Sequence, residues 1–220
     1  LLFDRKINRW PMACVLFFHS AIIRSTESLP KEFDAQEARY LFSVMSYVEF
    51  LSRQLKIPAR KNKWKVIDLF AGCGGLALGF EAVGFRTYGF EMDPDACSTY
   101  ESNLKSPCSK VFLDEETDLG SQADVIIGGP PCQPFSVIGQ QRGHKDDRDG
   151  FPAFLSAIKK HEPKIAIFEN VRGMLYKNKH YFEKILAQLR AMDYIVEFSL
   201  LNSVHFGVPQ KRERLFVVAH

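Results

Sequence analysis

The sequence lacks C-x-x-C pairs and any grouping of cysteine and histidine at metal-ligand spacing. Its five cysteines, Cys14, Cys73, Cys97, Cys108 and Cys132, therefore point to neither a zinc site nor a disulfide framework. No metal is expected, and a reducing cytoplasm suits such cysteine usage. A hydrophobic run of bilayer length is also missing. The longest run, residues 12–18 continuing at 21–23, is broken by His19 and Ser20 and carries no convincing cleavage site, which argues against a membrane span and a secretory leader. Net charge is scarce too: +3 at pH 7 is compatible with a polyanionic partner and far too small to imply one. Internal repeats and low-complexity tracts are absent, which excludes a solenoid. What remains, 220 residues with 46% hydrophobic and 25% charged side chains, has room for one sizeable globular core and a short appendage. The chain starts at Leu1 without a methionine and stops at His220 directly after an apolar run, a pattern expected of a fragment.

Residues 1–63 read as a helical extension and linker. Asp34 can cap a helix whose apolar residues Leu41, Phe42, Val44, Met45, Val48, Leu51 and Leu55 recur at helical spacing until Pro58 and a basic run end it. The basic run, Arg60, Lys61, Lys63 and Lys65, reads first as a solvated linker. From Trp64 onward, β-rich runs alternate with helical patterns. Strands are expected at 65–70, 87–90, 110–113, 124–127, 165–168, 195–200 and 214–218, and helices at 76–83, 94–103, 154–160 and 180–192. That alternation predicts an α/β fold, a mostly parallel seven-stranded sheet covered by helices on both faces.

Four constellations carry chemistry. The first is DLFAGCGG, Asp68 to Gly75, where the first strand turns into the first helix. Glycines there allow close backbone approach, and the helix that follows offers free N–H groups. The spacing is neither the dinucleotide G-x-G-x-x-G nor a P-loop. Glu91 closes the next strand, where a carboxylate can accept from both hydroxyls of a ribose. A tight turn or a surface acid would explain either feature alone; together they favour an adenosine-containing cofactor. The second constellation is GPPCQPFS, residues 129–136, directly after a buried strand. Prolines stiffen the backbone on both sides of Cys132, and a cysteine in a rigid polar turn at a strand end is a candidate nucleophile. Cys14, Cys73, Cys97 and Cys108 read as inert packing. The third is Glu169 with Asn170 and Val171, again at the end of an apolar strand, where burial would raise the carboxyl's pKa and make it a proton donor. The fourth is QKRER, residues 210–214. A solvated edge is its usual meaning, but alternate strand residues share a face, which would aim Gln210, Arg212 and Arg214 at one site.

Taken in order, DLFAGCGG, Glu91, PPCQPFS, ENV and QKRER, the chain resembles the cytosine-C5 DNA methyltransferase family over roughly residues 64–219. The resemblance implies a Rossmann-like S-adenosylmethionine-dependent methyltransferase fold. It implies that Phe70 lies against the adenine, that Gly72, Gly74 and Gly75 lie under the methionine end, and that Asp68, Ala71, Cys73 and Pro130 complete the S-adenosyl-L-methionine site. It gives Glu91 the ribose, Met92 the second adenine face and Asp114 the adenine amino group, although Leu113-Asp114-Glu115-Glu116 departs from the family's usual Gly-Asp-Ile. It makes the Cys132 thiolate the group that adds to carbon 6 of cytosine. Glu169 is then the acid that protonates ring N3, with Arg212 and Arg214 in support, and a water serves as the final base.

Because a duplex buries the reactive carbons, the resemblance further implies base flipping. Residues 137–150 would form a closing lid, and Gln133, Ser136, Gln140 and Arg142 would contact DNA. The family's target-recognition region and carboxyl-terminal helix are not found in the sequence, so a further region or a second subunit is an expected partner. Three functions follow: a truncated DNA cytosine methyltransferase of a restriction-modification system, a tRNA cytosine methyltransferase, or an inactive fragment or subunit of a split enzyme. Ser136 leans toward DNA over tRNA.

Overall fold

The computed structural model describes residues 63–120, 122–132, 149–206, 208 and 210–220. The helical extension expected within 1–63 lies outside them but for its last residue, as do the expected DNA contacts Gln133, Ser136, Gln140 and Arg142.

Two strands need no partner face of polar residues, because both their faces are covered. β1 (Lys65–Leu69) is buried from Val66 on, and β4 (Val125–Gly128) is buried throughout. Such continuous apolar runs are what a central parallel strand requires. Around them lie β2 (Arg86–Glu91), β3 (Cys108–Lys110), β5 (Ile165–Val171), β6 (Val196–Asn202) and β7 (Glu213–Ala219), in the sheet order β3-β2-β1-β4-β5-β7-β6. β7 enters antiparallel between β5 and β6, and the other pairings are parallel.

Helices α1 (Gly75–Ala82), α2 (Pro94–Asn103), α3 (Phe151–His161) and α4 (Lys179–Ala191) connect the strands. α2 starts where Asp93 accepts from the N–H groups of Asp95 and Ala96 at 2.8 and 3.0 Å, with Pro94 in the first turn. α4 buries Phe182, Ile185, Leu186 and Leu189, one helical face, against the sheet. Strand alternation divides the core in two. Ile67, Leu69, Ile126, Phe168 and Leu215 pack with α3 and α4 on one face, while Val66, Val125, Ile127 and Ile167 pack with Phe80 of α1 and with Phe85 on the other. Phe168 meets the rings of both Phe151 and Phe154 edge-on, at centroid separations of 5.1 and 5.9 Å.

Three elements depart from the sequence reading. β3 lies at 108–110, short of the expected 110–113, because its register comes from the backbone: Pro107 O accepts from Gly89 N at 3.0 Å and Glu91 O from Val111 N at 2.8 Å. Of the apolar residues that suggested the later strand, Phe112 is 53% exposed and Leu113 is only partly buried against the core. β5 runs three residues past its expected end, since β7 keeps pairing through Glu169, Asn170 and Val171 after β4 has stopped opposite Phe168. α3 begins at Phe151, earlier than the expected 154, with the Asp149 carboxylate accepting from Phe151 N at 3.1 Å.

The turn from β1 into α1 depends on Gly74. Its φ is +85°, and a Cβ there would lie 2.7 Å from both Leu104 Cδ1 and Tyr100 Cδ2. Gly74→Ala is expected to cost about 2 kcal/mol or more, from left-handed backbone strain plus overpacking, read as a lowered urea midpoint.

Candidate active site

The carboxyl ends of β1, β2, β4 and β5 bring the sequence motifs to one edge of the sheet, where ligands of open α/β sheets bind. After β1 the chain makes a strained turn, with φ of 57° at Phe70 and 53° at Gly72. Ala71 N donates to Phe90 O at 3.2 Å and Gly74 N to Ala71 O at 3.0 Å, closing the turn against β2. Glu91, last residue of β2, completes it. One carboxylate oxygen accepts from Gly72 N at 2.8 Å; the other accepts from Met92 N at 2.8 Å and Asp93 N at 3.0 Å. Glu91 thus already grips the glycine turn by its backbone. Met92 beside it is 61% exposed, an apolar side chain at the rim with a face to offer. Cys73 is exposed in the turn, which corrects its reading as packing. Asp114 lies exposed beyond β3, where its carboxylate accepts from Thr117 Oγ1 at 2.6 Å and from Glu116 N at 3.0 Å.

Beneath the turn, Asp68 is 1% exposed, and its Oδ2 has no hydrogen-bond partner among the described residues. Burial, reinforced by the charge of Glu91, pushes its carboxyl well above the ordinary 3.8. Such a group keeps a proton in the folded protein that the unfolded chain releases. Its contribution to stability is therefore full below the unfolded pKa and is lost as pH rises toward the folded one. Asp68→Asn removes that ionisation. The difference in unfolding free energy between variant and parent is expected to move in the variant's favour as urea unfolding is repeated from about pH 4 to about pH 8.

The second loop leaves β4 through Gly129, Pro130 and Pro131 to Cys132 and is laced to its neighbours. Asn170 Nδ2 donates to Pro130 O at 2.9 Å, and Gly150 N donates to Pro131 O at 2.9 Å. Cys132 pairs with Asp149 in an isolated antiparallel bridge. A Cβ on Gly150 would lie 2.5 Å from Pro131 Cδ and 2.7 Å from Phe70 Cζ, so Gly150 lets the Phe70 turn and the proline turn close on each other. Cys132 is half-buried, and its Sγ accepts from Asn178 Nδ2 at 3.8 Å. Burial, and then the charge of Asp149, push its pKa up to about 11, while the Asn178 contact pulls the other way.

Glu169 faces the same loop. A Cβ on Gly129 would stand 3.9 Å from its Oε2, and its Oε1 receives Arg214 Nε at 2.8 Å. Arg214 also donates from Nη1 to Glu213 O at 2.8 Å, which fixes the guanidinium. Burial raises the Glu169 carboxyl above its usual range against the pull of Arg214 and then Arg212. Strand alternation reaches only part of QKRER: β7 begins at Glu213, so Gln210 and Arg212 are exposed ahead of it, and Arg214 makes the direct contact. Sequence reasoning missed Asn178, Asp149 and Tyr181 around Cys132. Asn178 sits in a lysine-rich stretch that looks like ordinary surface, and no local pattern marks it.

A 3-2-1-4-5-7-6 sheet with its antiparallel strand inserted beside β5, a glycine turn after β1 and an acid closing β2 define the S-adenosylmethionine-dependent methyltransferase class. Solved structures share that fold. A mutant DNMT2 from Spodoptera frugiperda matches with a TM-score of 0.59 at 21% identity, covering 72% of this chain and 50% of that one. The methyltransferase EhMeth of Entamoeba histolytica matches with a TM-score of 0.56 at 22% identity, over 73% and 53% respectively. The family model for C-5 cytosine-specific DNA methylase matches residues 64–220, and the chain belongs to that family. Type II methyltransferase M.AplI of Arthrospira platensis is 57% identical over 177 residues, which are 80% of this chain and 51% of the relative. Type II methyltransferase M.BsuFI of Bacillus subtilis is 39% identical over 163 residues, 72% of this chain and 40% of the relative. The chain thus spans about half the length of these relatives.

Proposed function

We propose that the chain is the catalytic part of a DNA (cytosine-5-)-methyltransferase of a restriction-modification system. It would act in the cytoplasm on a cytosine flipped out of duplex DNA. The observation that carries this reading is the lacing of two strand ends, Asn170 to Pro130 O and Arg214 to Glu169, with Glu169 facing Gly129 of the Cys132 loop and that loop closed against the Phe70 turn at Gly150. Residues 64–220 would form the catalytic unit and 1–63 an extension to it.

The turn fits S-adenosyl-L-methionine: the space a Cβ would take at Gly72 and Gly75 is open, and Glu91 is held where a ribose would lie. Asp68, Phe70, Ala71, Gly72, Cys73, Gly74, Gly75, Glu91, Met92, Asp114 and Pro130 would hold it, and when bound it supplies an electrophilic methyl group. Cys132 forms a bond from Sγ to carbon 6 of cytosine. Glu169 gives a proton to N3, so the electron pair pushed into the ring is held at carbon 5 as an enamine and not as a full anion. Arg214, with Arg212 farther out, keeps the carboxyl aimed and takes up its charge once the proton has left. After carbon 5 has gained the methyl group, its proton goes to a water, the electron pair re-forms the ring double bond, Cys132 leaves as thiolate, and the proton on N3 returns to the Glu169 carboxylate.

Sequence specificity would come from a target-recognition region or second subunit beyond these residues, in keeping with the share of its relatives that the chain spans. The test is transfer of label from methyl-labelled S-adenosylmethionine. Label on carbon 5 of cytosine in duplex DNA supports the proposal. Label on tRNA alone would shift it to the tRNA reading, and none on either substrate to an inactive fragment or subunit.

A further inference from the structure

Cys132 is held by three residues that none of the family motifs contains. Asn178 stands at the amino-terminal cap of α4, where an asparagine ordinarily turns its side-chain oxygen back onto the first free N–H groups of its own helix. Here the cap bond is not made, and the amide N–H reaches out to Cys132 Sγ at 3.8 Å. The positive end of a helix of thirteen residues therefore lies beside the sulfur. On the other side stands Asp149, bridged to Cys132 through the backbone. Its Oδ1 accepts from Phe151 N at 3.1 Å, and its Oδ2 accepts the hydroxyl of Tyr181 in a short hydrogen bond. The Tyr181 ring is set edge-on against Phe151 at 5.9 Å. Asp149 is thus fixed twice, by the start of α3 and by α4, and α4 also presents the amide.

We propose that Asn178 is a positioning residue that stabilises the Cys132 thiolate as it forms, and that Asp149, tied down by Tyr181, is the negative charge it works against. The inference rests on the reading of Cys132 as the nucleophile. A site with both groups keeps the thiol protonated and unreactive when empty, with burial adding to the effect of Asp149. It also keeps one donor aimed at the lone pair that must form when the base arrives. Asp149 and Tyr181 are the titratable groups facing the sulfur among the described residues, and Asn178 is the neutral donor.

The two partners act with opposite sign, and that separates an electrostatic role from a merely structural one. The full chain and its N178A, D149N and Y181F variants are alkylated with iodoacetamide across a pH series, and modification of Cys132 is followed by peptide mass spectrometry. Neither DNA nor cofactor is needed, so the result is independent of whether methyl transfer occurs. At pH 8, N178A is expected to slow alkylation about threefold to tenfold, and D149N to speed it by a similar factor, because one change removes a donor and the other a negative charge. Asparagine at 149 can still accept from Phe151 N on its oxygen and can donate from its amide nitrogen to the Tyr181 oxygen, so D149N keeps both contacts. Y181F keeps the ring contact, frees the carboxylate and is expected to slow alkylation. In transfer assays N178A is expected to lower kcat and leave KM for DNA nearly unchanged. If N178A and D149N shift the pH profile in the same direction, or neither shifts it, the assignment fails. Loss of fold in N178A would leave the sign of D149N to decide. Transfer surviving Cys132→Ala would overturn the nucleophile reading, whatever the alkylation series gives.

Discussion

Cys132→Ala is expected to reduce methyl transfer by roughly three orders of magnitude or more, with binding of S-adenosylmethionine nearly unaltered. The separation follows from the architecture. The glycine turn is closed by Glu91 and by backbone bonds to β2, none of which involves the sulfur, so isothermal titration with cofactor should return a Kd close to the parent's. Among the described residues no other thiol can replace the missing one. Cys73 is exposed in the glycine turn after β1, and Cys97 Sγ lies 2.6 Å from Cys108 Sγ between α2 and β3. Stability should change by only about 1 kcal/mol, the usual scale for a half-buried side chain losing one atom. A large loss of rate at constant cofactor affinity and constant urea midpoint would isolate the chemical step. A Cys132→Ala variant that transfers at the parental rate would remove covalent addition from the mechanism, and with it the role of the lacing around Pro130 and Pro131.

Which parts of this were legible beforehand depends on whether local physics or tertiary pairing decided them. β1 and β4 announce themselves, since a strand covered on both faces is mostly apolar: VIIG is so throughout, and β1 from Val66 on except at the buried Asp68. The turn at Gly72 and Gly74 is equally plain, because positive φ is cheap for little but glycine. β3 was misplaced by three apolar residues, of which the fold exposes Phe112 and only partly buries Leu113, its true register being set by the backbone of β2. The end of β5 was hidden for the opposite reason: Glu169 and Asn170 look like the start of a loop, yet a strand arriving from the carboxyl end of the chain holds them in the sheet. Cys132 and Glu169, the proposed nucleophile and acid, were visible as motifs. Asn178 and Asp149 were not, because the contact between them and the sulfur exists only after α3 and α4 have packed on the same face.

The second large effect concerns Glu169. Glu169→Gln keeps the shape and a hydrogen bond to the ring and loses the proton, so transfer should fall by about 10²- to 10⁴-fold, the usual worth of a general acid. The pH dependence discriminates more sharply than the size of the loss. Under the proposed mechanism the parent needs a thiolate at Cys132 and a protonated carboxyl at Glu169 together. The first comes from a group whose pKa is about 11, the second from one raised above its ordinary 4.5. Between those two values each unit of pH multiplies the thiolate by about ten and divides the protonated acid by about ten, so kcat/KM of the parent should be nearly flat. Glu169→Gln takes away the falling factor. Its residual rate should climb about tenfold per unit across the same interval, following the thiol alone. Arg214→Met acts on the other edge: losing the guanidinium that pulls the carboxyl down should move the lower end of the plateau to higher pH. A Glu169→Gln profile as flat as the parent's would mean that the proton for N3 comes from elsewhere, and Glu169 would then be reduced to an anchor for Arg214.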